Sequence, residues 1–272
     1  MQITDAQVHI WGADTPERPW PAAGHSYAHR DVPLGQDELL REMDAAGVAR
    51  VVIVPPSWEG DRNDLALEAA RQHPDRFAVM GRLPLHPVAP EVAAAWRRQP
   101  GMLGLRFTAG REHAWLTDGS AEWVWAAAQR HGLPVMISCS GLLPLVDDIA
   151  ERYPGLRVVI DHLALRRAKD DAAFVDIPLL CTLAKRPNVA AKMSATPSVS
   201  TQPYPYRNIH PYLRQVFQAF GPLRTFWGTD LTRLPCTYRQ AVTMFTEELS
   251  FLSDRDKEWV MGRALCAWLG WP

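Results

Sequence analysis

The sequence predicts an α/β fold, a (β/α)8 TIM barrel in which residues 1–272 form a single domain. Three observations carry this. Eight short apolar runs alternate with amphipathic segments, the pattern of parallel strands joined by crossover helices. The chain has 272 residues, and barrels of this class commonly run to about 250 residues as one unit. No GxGxxG turn starts a dinucleotide-binding open sheet, and no low-complexity or charged stretch divides the chain.

The elements follow in order. Residues 3–11 read as the first strand, and 36–46 (QDELLREMDAA) as an amphipathic helix stopped by Gly47. The run 51–54 (VVIV) is a buried strand and 64–72 (DLALEAARQ) a helix. Strand 77–83, helix 91–98, strand 103–107 and helix 121–131, closed by Gly132, come next. Then come strand 134–139, helix 145–152 and strand 157–162. Residues 173–186 are mostly helical, with Pro178 expected to break or kink them. Strand 189–194, helix 212–220 and strand 225–230 complete eight repeats, and helices over 240–250 and 256–269 end the chain.

Composition narrows the function. The hydrophobic fraction is 47% and the charged fraction 22%, as in ordinary globular domains. The net charge of -1 gives no whole-protein field for nucleic acid or a membrane surface. No basic-then-apolar leader opens the chain, and no stretch approaches the roughly 18 apolar residues that span a bilayer. Cys139, Cys181, Cys236 and Cys266 are widely spaced and form no CxxC pair, so a reducing cytoplasm is the expected setting. The expected partner is a small molecule, and a homo-oligomer is compatible with the sequence. The 11 tryptophans suggest an aromatic-rich core.

In such barrels chemistry sits at the C-terminal ends of the strands. There the sequence places Gln7 and His9, then Ser57, Trp58, Glu59 and Asp61, then Arg82 and His86. Arg106, Ser138 to Ser140, Asp161 and His162, Lys192 and Ser194, and Thr229 and Asp230 follow. Strand alternation puts Asp5, Gln7 and His9 on one face. His9, His162 and Asp230, from strands 1, 6 and 8, are therefore expected to converge as an acid/base or metal cluster. Each also has a structural reading: His162 capping a strand end, Asp230 in a turn, His9 in the core. The other histidines, His29 among them, are assigned to the surface, and Glu59 and Asp61 to solvated loop positions.

The motifs Asp5-Ala6-Gln7-Val8-His9, Val159-Ile160-Asp161-His162, Ala191-Lys192-Met193-Ser194 and Trp227-Gly228-Thr229-Asp230 together resemble the amidohydrolase superfamily, in its order. Within it the chain is similar to the amidohydrolase 2 group, which holds 2-pyrone-4,6-dicarboxylate lactonases, sugar lactonases and decarboxylases. Leu103-Gly104-Leu105-Arg106-Phe107 resembles the lactonases' GxRF segment, whose arginine binds a substrate carboxylate. Strand 5 ends in Ser138 and Cys139, without the ligand histidine of the decarboxylases, which implies the lactonase branch, whose members can work without a metal.

Gln7 stands where the family's HxH motif has its first histidine, and a neutral amide is a poor zinc ligand. The resulting expectation is that no cofactor is required. If a divalent metal such as zinc is bound, its ligands are His9, His162 and Asp230. The expected reaction is attack of water on the carbonyl of a small carboxylated lactone, ester or amide. Asp230 is the general base, and His162, His9 and Gln7 polarise the carbonyl. Arg106 and Lys192 bind the substrate's anionic groups, with Tyr206 and Arg207 contributing from the loop 198–207. Trp58 and the loop 12–35 form a cover. A metal-dependent decarboxylase or hydratase on the same barrel is the alternative, followed by a non-catalytic barrel that binds a small acid.

Overall fold

The computed structural model describes residues 1–22, 24–26, 28–110 and 113–272. The strands are β1 (Thr4–Val8), β2 (Arg50–Ile53), β3 (Phe77–Gly81), β4 (Met102–Thr108), β5 (Val135–Ser138), β6 (Val158–Ile160), β7 (Val189–Met193) and β8 (Thr225–Trp227). They pair in parallel in that order, forming one eight-stranded sheet rolled into a TIM barrel. The helices α1 (Gln36–Ala46), α2 (Asp64–Gln72), α3 (Pro90–Ala95), α4 (Glu122–Arg130), α5 (Leu143–Arg152), α6 (Ile177–Thr182), α7 (His210–Phe220) and α8 (Tyr238–Thr243) follow the successive strands. Two more, α9 (Asp254–Glu258) and α10 (Ala264–Leu269), end the chain.

Strand alternation divides the apolar residues into two layers. Ala6, Val52, Met80, Met136, Val159 and Phe226 fill the barrel. Val51, Val79, Ile137 and Trp227 face outward and pack with Leu39, Val124 and Leu213 of the surrounding helices. Each such side chain, fully buried, contributes about 1.5–3 kcal/mol relative to exposure. Leu265, Leu269 and Trp271 join the inner layer and close the end where the strands begin. Trp11, Trp58, Trp96, Trp125 and Trp227 are buried, as core packing requires.

Two local expectations are corrected. Pro178 does not break a helix but sits in the first turn of α6, where its missing N–H has no intrahelical partner to lose. The long terminal helices are interrupted by π-helical turns at Met244–Glu248 and Trp259–Arg263.

The seam between β8 and β1 bears directly on the site. The Asp230 N–H donates to Gln7 O at 2.9 Å, just above the strands. Gly228 permits this approach, because a Cβ there would lie 3.1 Å from the Ala6 Cβ and 3.3 Å from Ala6 N.

Candidate active site

Three strand ends turn through left-handed backbone. After β6, His162, Leu163 and Ala164 have φ of 51°, 53° and 53°; after β7, Ala195 has 58°; after β8, Asp230 has 57°. A non-glycine residue held there costs about 1–3 kcal/mol, and such strain concentrates at functional sites. His162 and Asp230 are among these residues. The strain aims both side chains at the barrel mouth.

There the expected cluster assembles. His9 Nε2 lies 3.1 Å from Asp230 Oδ1, and His162 Nε2 lies 3.8 Å from Asp230 Oδ2. Asp230 is 1% exposed, and its Oδ1 accepts no hydrogen bond from any described residue. Gln7 Nε2 is 3.3 Å from His9 Nε2 and 3.2 Å from His162 Nε2. Lys192 Nζ donates to Gln7 Oε1 at 2.5 Å and pairs with Asp161 Oδ1 at 2.7 Å. Asp161 Oδ2 pairs with Arg106 Nε at 3.1 Å, and Arg106 Nη1 donates to Thr108 Oγ1.

These contacts fix the proton positions. An ammonium only donates, so the Gln7 oxygen must face Lys192 and its NH2 must face the imidazoles. Both Nε2 atoms are then acceptors. His9 Nδ1–H donates to Val54 O at 2.6 Å, and His162 Nδ1–H to Ser194 Oγ at 2.7 Å. Two imidazole lone pairs and a carboxylate therefore face one small space, with Gln7 as the adjacent donor. Neither Nε2 then carries a proton to donate to the carbonyl that both histidines were expected to polarise.

Burial presses the His162 imidazole down to about 4, against the opposing pull of Asp230, so it is neutral near pH 7. Burial works to raise the Asp230 carboxyl, while charge on the facing His9, and then on His162, lowers it, and the lowering dominates when these imidazoles carry a proton. Asp161 behaves likewise: burial opposes ionisation, while Lys192 and Arg106 overcome it. Lys192 is fully buried and lowered by desolvation, with Asp161 offsetting part of the effect.

The amidohydrolase family profile matches residues 4–264. The chain belongs to the amidohydrolase family. It is 30% identical over 236 residues to an L-fucono-1,5-lactonase of Burkholderia ambifaria, covering 83% of this chain and 79% of that protein. It is 24% identical to a 4-sulfomuconolactone hydrolase of Hydrogenophaga intermedia, covering 83% and 73%. A solved amidohydrolase from Burkholderia multivorans with bound zinc superposes with a TM-score of 0.82 at 23% identity, over all of both chains. This amidohydrolase is accordingly a hydrolase.

The expectation that no metal is needed is overturned. A structural relative carries zinc, and in this amidohydrolase His9, His29 and Asp230 offer ligand atoms all within 4.8 Å of one another. The donors fit a divalent ion. His9 Nδ1 is bound to Val54 O, which leaves Nε2 facing an unpartnered carboxylate oxygen. Burial pushes the His29 imidazole down to about 3, so it is neutral, as a ligand must be. Three protein ligands suffice for a catalytic zinc.

The sequence reading missed His29 by assigning it to the surface. It rides on the loop after β1, bonds Thr232 Oγ1 at 2.8 Å through Nδ1, and packs on Trp58 at 4.6 Å between ring centroids. Residues 23 and 27 of the loop 12–35 lie outside the described residues.

Other expected residues fall elsewhere. Asp5 does not share the face of Gln7 and His9. A register shift between Asp5 and Val8 turns it outward, where Tyr238 and Thr229 donate to its carboxylate. Glu59 is not a solvated charge: it is 4% exposed and accepts from Gly12 N and Arg18 Nε, tying down the β1 loop. Arg207 is exposed and pairs with Glu248 at 2.9 Å, while Tyr206 is buried edge-on to Tyr204. Neither touches the cluster. Lys192 is engaged by Asp161 and Gln7, leaving no free ammonium for a substrate.

Proposed function

We propose that residues 1–272 act as one barrel-borne lactonase that adds water to the ring carbonyl of a small carboxylated lactone. The carrying observation is Asp230, a buried ionised carboxylate with an unpartnered oxygen, facing imidazoles from two other strands. The lactone-hydrolysing relatives support the choice of bond. The four free thiols suit a reducing compartment such as the cytoplasm. No helix among the described residues is long and apolar enough to cross a membrane.

His9, His29 and Asp230 would hold a divalent ion such as zinc, which when bound supplies Lewis-acid polarisation of the carbonyl and a more acidic water. The chain's own groups do the rest. Asp230 accepts a proton as the water oxygen bonds to the carbonyl carbon. With His9 Nε2 turned to the ion, the Gln7 N–H that faces it would be free to meet negative charge on the carbonyl oxygen, and Lys192 keeps that amide turned inward. When the ring C–O bond breaks, Asp230 returns the proton to the departing alkoxide, giving the hydroxy acid.

The test is Asp230→Asn on a panel of carboxylated and sugar-derived lactones. Turnover is expected to fall by about 10²- to 10⁴-fold, the range for a lost proton-transfer group. Wild-type turnover in that variant would overturn the reading.

A further inference from the structure

We infer that Glu59 is a positioning residue for the metal centre: through Gly12 and Arg18 it anchors the loop that carries His29, so a buried carboxylate outside the ligand set governs how tightly a divalent ion is held. His9 directly follows β1 and Asp230 stands after β8, so the barrel itself places both. His29 has no strand beneath it. A ligand on a loop must be ordered when the ion binds, which weakens binding unless the loop is fixed beforehand.

The fixing groups come from the next strand end. The base of the loop is closed by Trp11 N, which donates to Leu34 O at 3.2 Å. Within it, Glu59 Oε1 accepts from Gly12 N at 3.1 Å and from Arg18 Nε at 2.7 Å. Arg18 then forks onto Asp64, the first residue of α2, with Nη1 at 2.6 Å and Nη2 at 2.9 Å. Arg62 Nη2 donates to Pro19 O at 2.9 Å. Glu59 is 4% exposed, and burying a carboxylate so far is costly unless its partners are held in place.

Contacts run from this anchor to His29. Trp20 Nε1 donates to Gly12 O at 3.1 Å, and Trp20 N to Asp14 Oδ1 at 2.8 Å. Gly24 lies directly on the β2 loop, where a Cβ would stand 2.5 Å from Trp58 O and 3.3 Å from Trp20 Cβ. Ala28 N donates to Gly24 O at 3.2 Å. His29 then packs on the Trp58 indole, which also meets the His9 ring edge-on at 5.3 Å. Trp58 and Glu59 are neighbours in one turn, Ser57–Glu59. That turn grips the loop twice, by charge near its start and by ring packing at the ligand, while Thr232 holds His29 Nδ1 from the β8 side.

This goes beyond the lactonase reading and rests only on His29 as a ligand, so the test uses zinc and no lactone. Metal-stripped protein is titrated with zinc against a competing chromophoric chelator. Glu59→Met matches the side chain in length and accepts neither bond. It is expected to weaken zinc binding at least about tenfold, as loss of a group that orients a metal ligand does. In a His29→Ala background the same change is expected to cost no more than about twofold, because two changes that act through one ligand are not additive. A bond that only stabilised the fold would give the same loss in both backgrounds. Arg18→Gln, nearer the surface, is expected to follow the same pattern and decides the matter if Glu59→Met does not fold. Zinc affinity unchanged by the loss of the anchor, an equal loss with and without His29, or a His29→Ala protein that holds zinc like the wild type would overturn the inference. If the losses couple as expected and no lactone is hydrolysed, the anchor stands and the lactonase reading falls.

Discussion

The Lys192 ammonium donates to the side-chain oxygen of Gln7 across 2.5 Å in a site with no exposure to solvent. One bond between β7 and β1 thus orients an amide, and the amide orients two imidazoles. Gln7→Glu keeps the acceptor for Lys192 and removes both N–H groups. We expect kcat on the accepted lactone to fall at least about tenfold with the melting temperature nearly unchanged, since a donor aimed at developing charge contributes a few kcal/mol. Unaltered kcat in this variant would show that the amide is only structural.

His29 reaches the cluster from a loop, and its contribution is measurable without substrate. Purified protein is expected to carry close to one equivalent of a divalent ion by elemental mass spectrometry. His29→Ala is expected to weaken that binding at least about tenfold, because two protein ligands hold a catalytic ion less well than three. Retention of a full equivalent against a chelator that leaves the wild type loaded would remove His29 from the ligand set.

Asp5 provides a pH signature separate from the catalytic groups. Burial lifts its carboxyl to about 6, with bonds from Thr229 and Gln7 only partly opposing. A raised carboxyl means that the folded state holds the proton more tightly. The stabilisation is full below about 4, and it is lost as pH rises through 6. The span amounts to roughly 3 kcal/mol. Denaturant unfolding between pH 4 and 7 is expected to show this decline in the wild type and a flatter curve in Asp5→Asn. Parallel curves would contradict it.

Gly228 carries the seam of the barrel. In Gly228→Ala the new methyl meets Ala6 at 3.1–3.3 Å, tighter than ordinary contact. Overpacking of this kind costs about 1–3 kcal/mol. It also strains the bond from Asp230 N to Gln7 O. A lowered melting temperature together with reduced turnover is the expected result, and a variant unchanged in both would show that the seam has slack.

The barrel was legible because strand and helix periods differ, and eight alternations at this length leave few architectures. Strand ends were read too long: the run at 157–162 stops at Ile160, where the backbone turns left-handed and apolarity no longer reports hydrogen bonding. The convergence of His9, His162 and Asp230 followed from their place at strand tops. His29 was not legible, because a loop residue has no period to place it. Glu59 was missed for a related reason, since only the folded loop shows the Gly12 amide and Arg18 that bury it. The partners of Arg106 and Lys192 depend on which strands adjoin, so the sequence offered them as free cations where the fold had already paired them with Asp161.

That shared carboxylate has a consequence for descent. Asp161 serves two cations on two other strands, and removing one member of a buried pair typically costs about 3–5 kcal/mol. A change at 106, 161 or 192 is therefore tolerated only beside a compensating change at another of the three. These positions, on β4, after β6 and on β7, are expected to pass through generations as a linked set, and to drift together where the substrate changes.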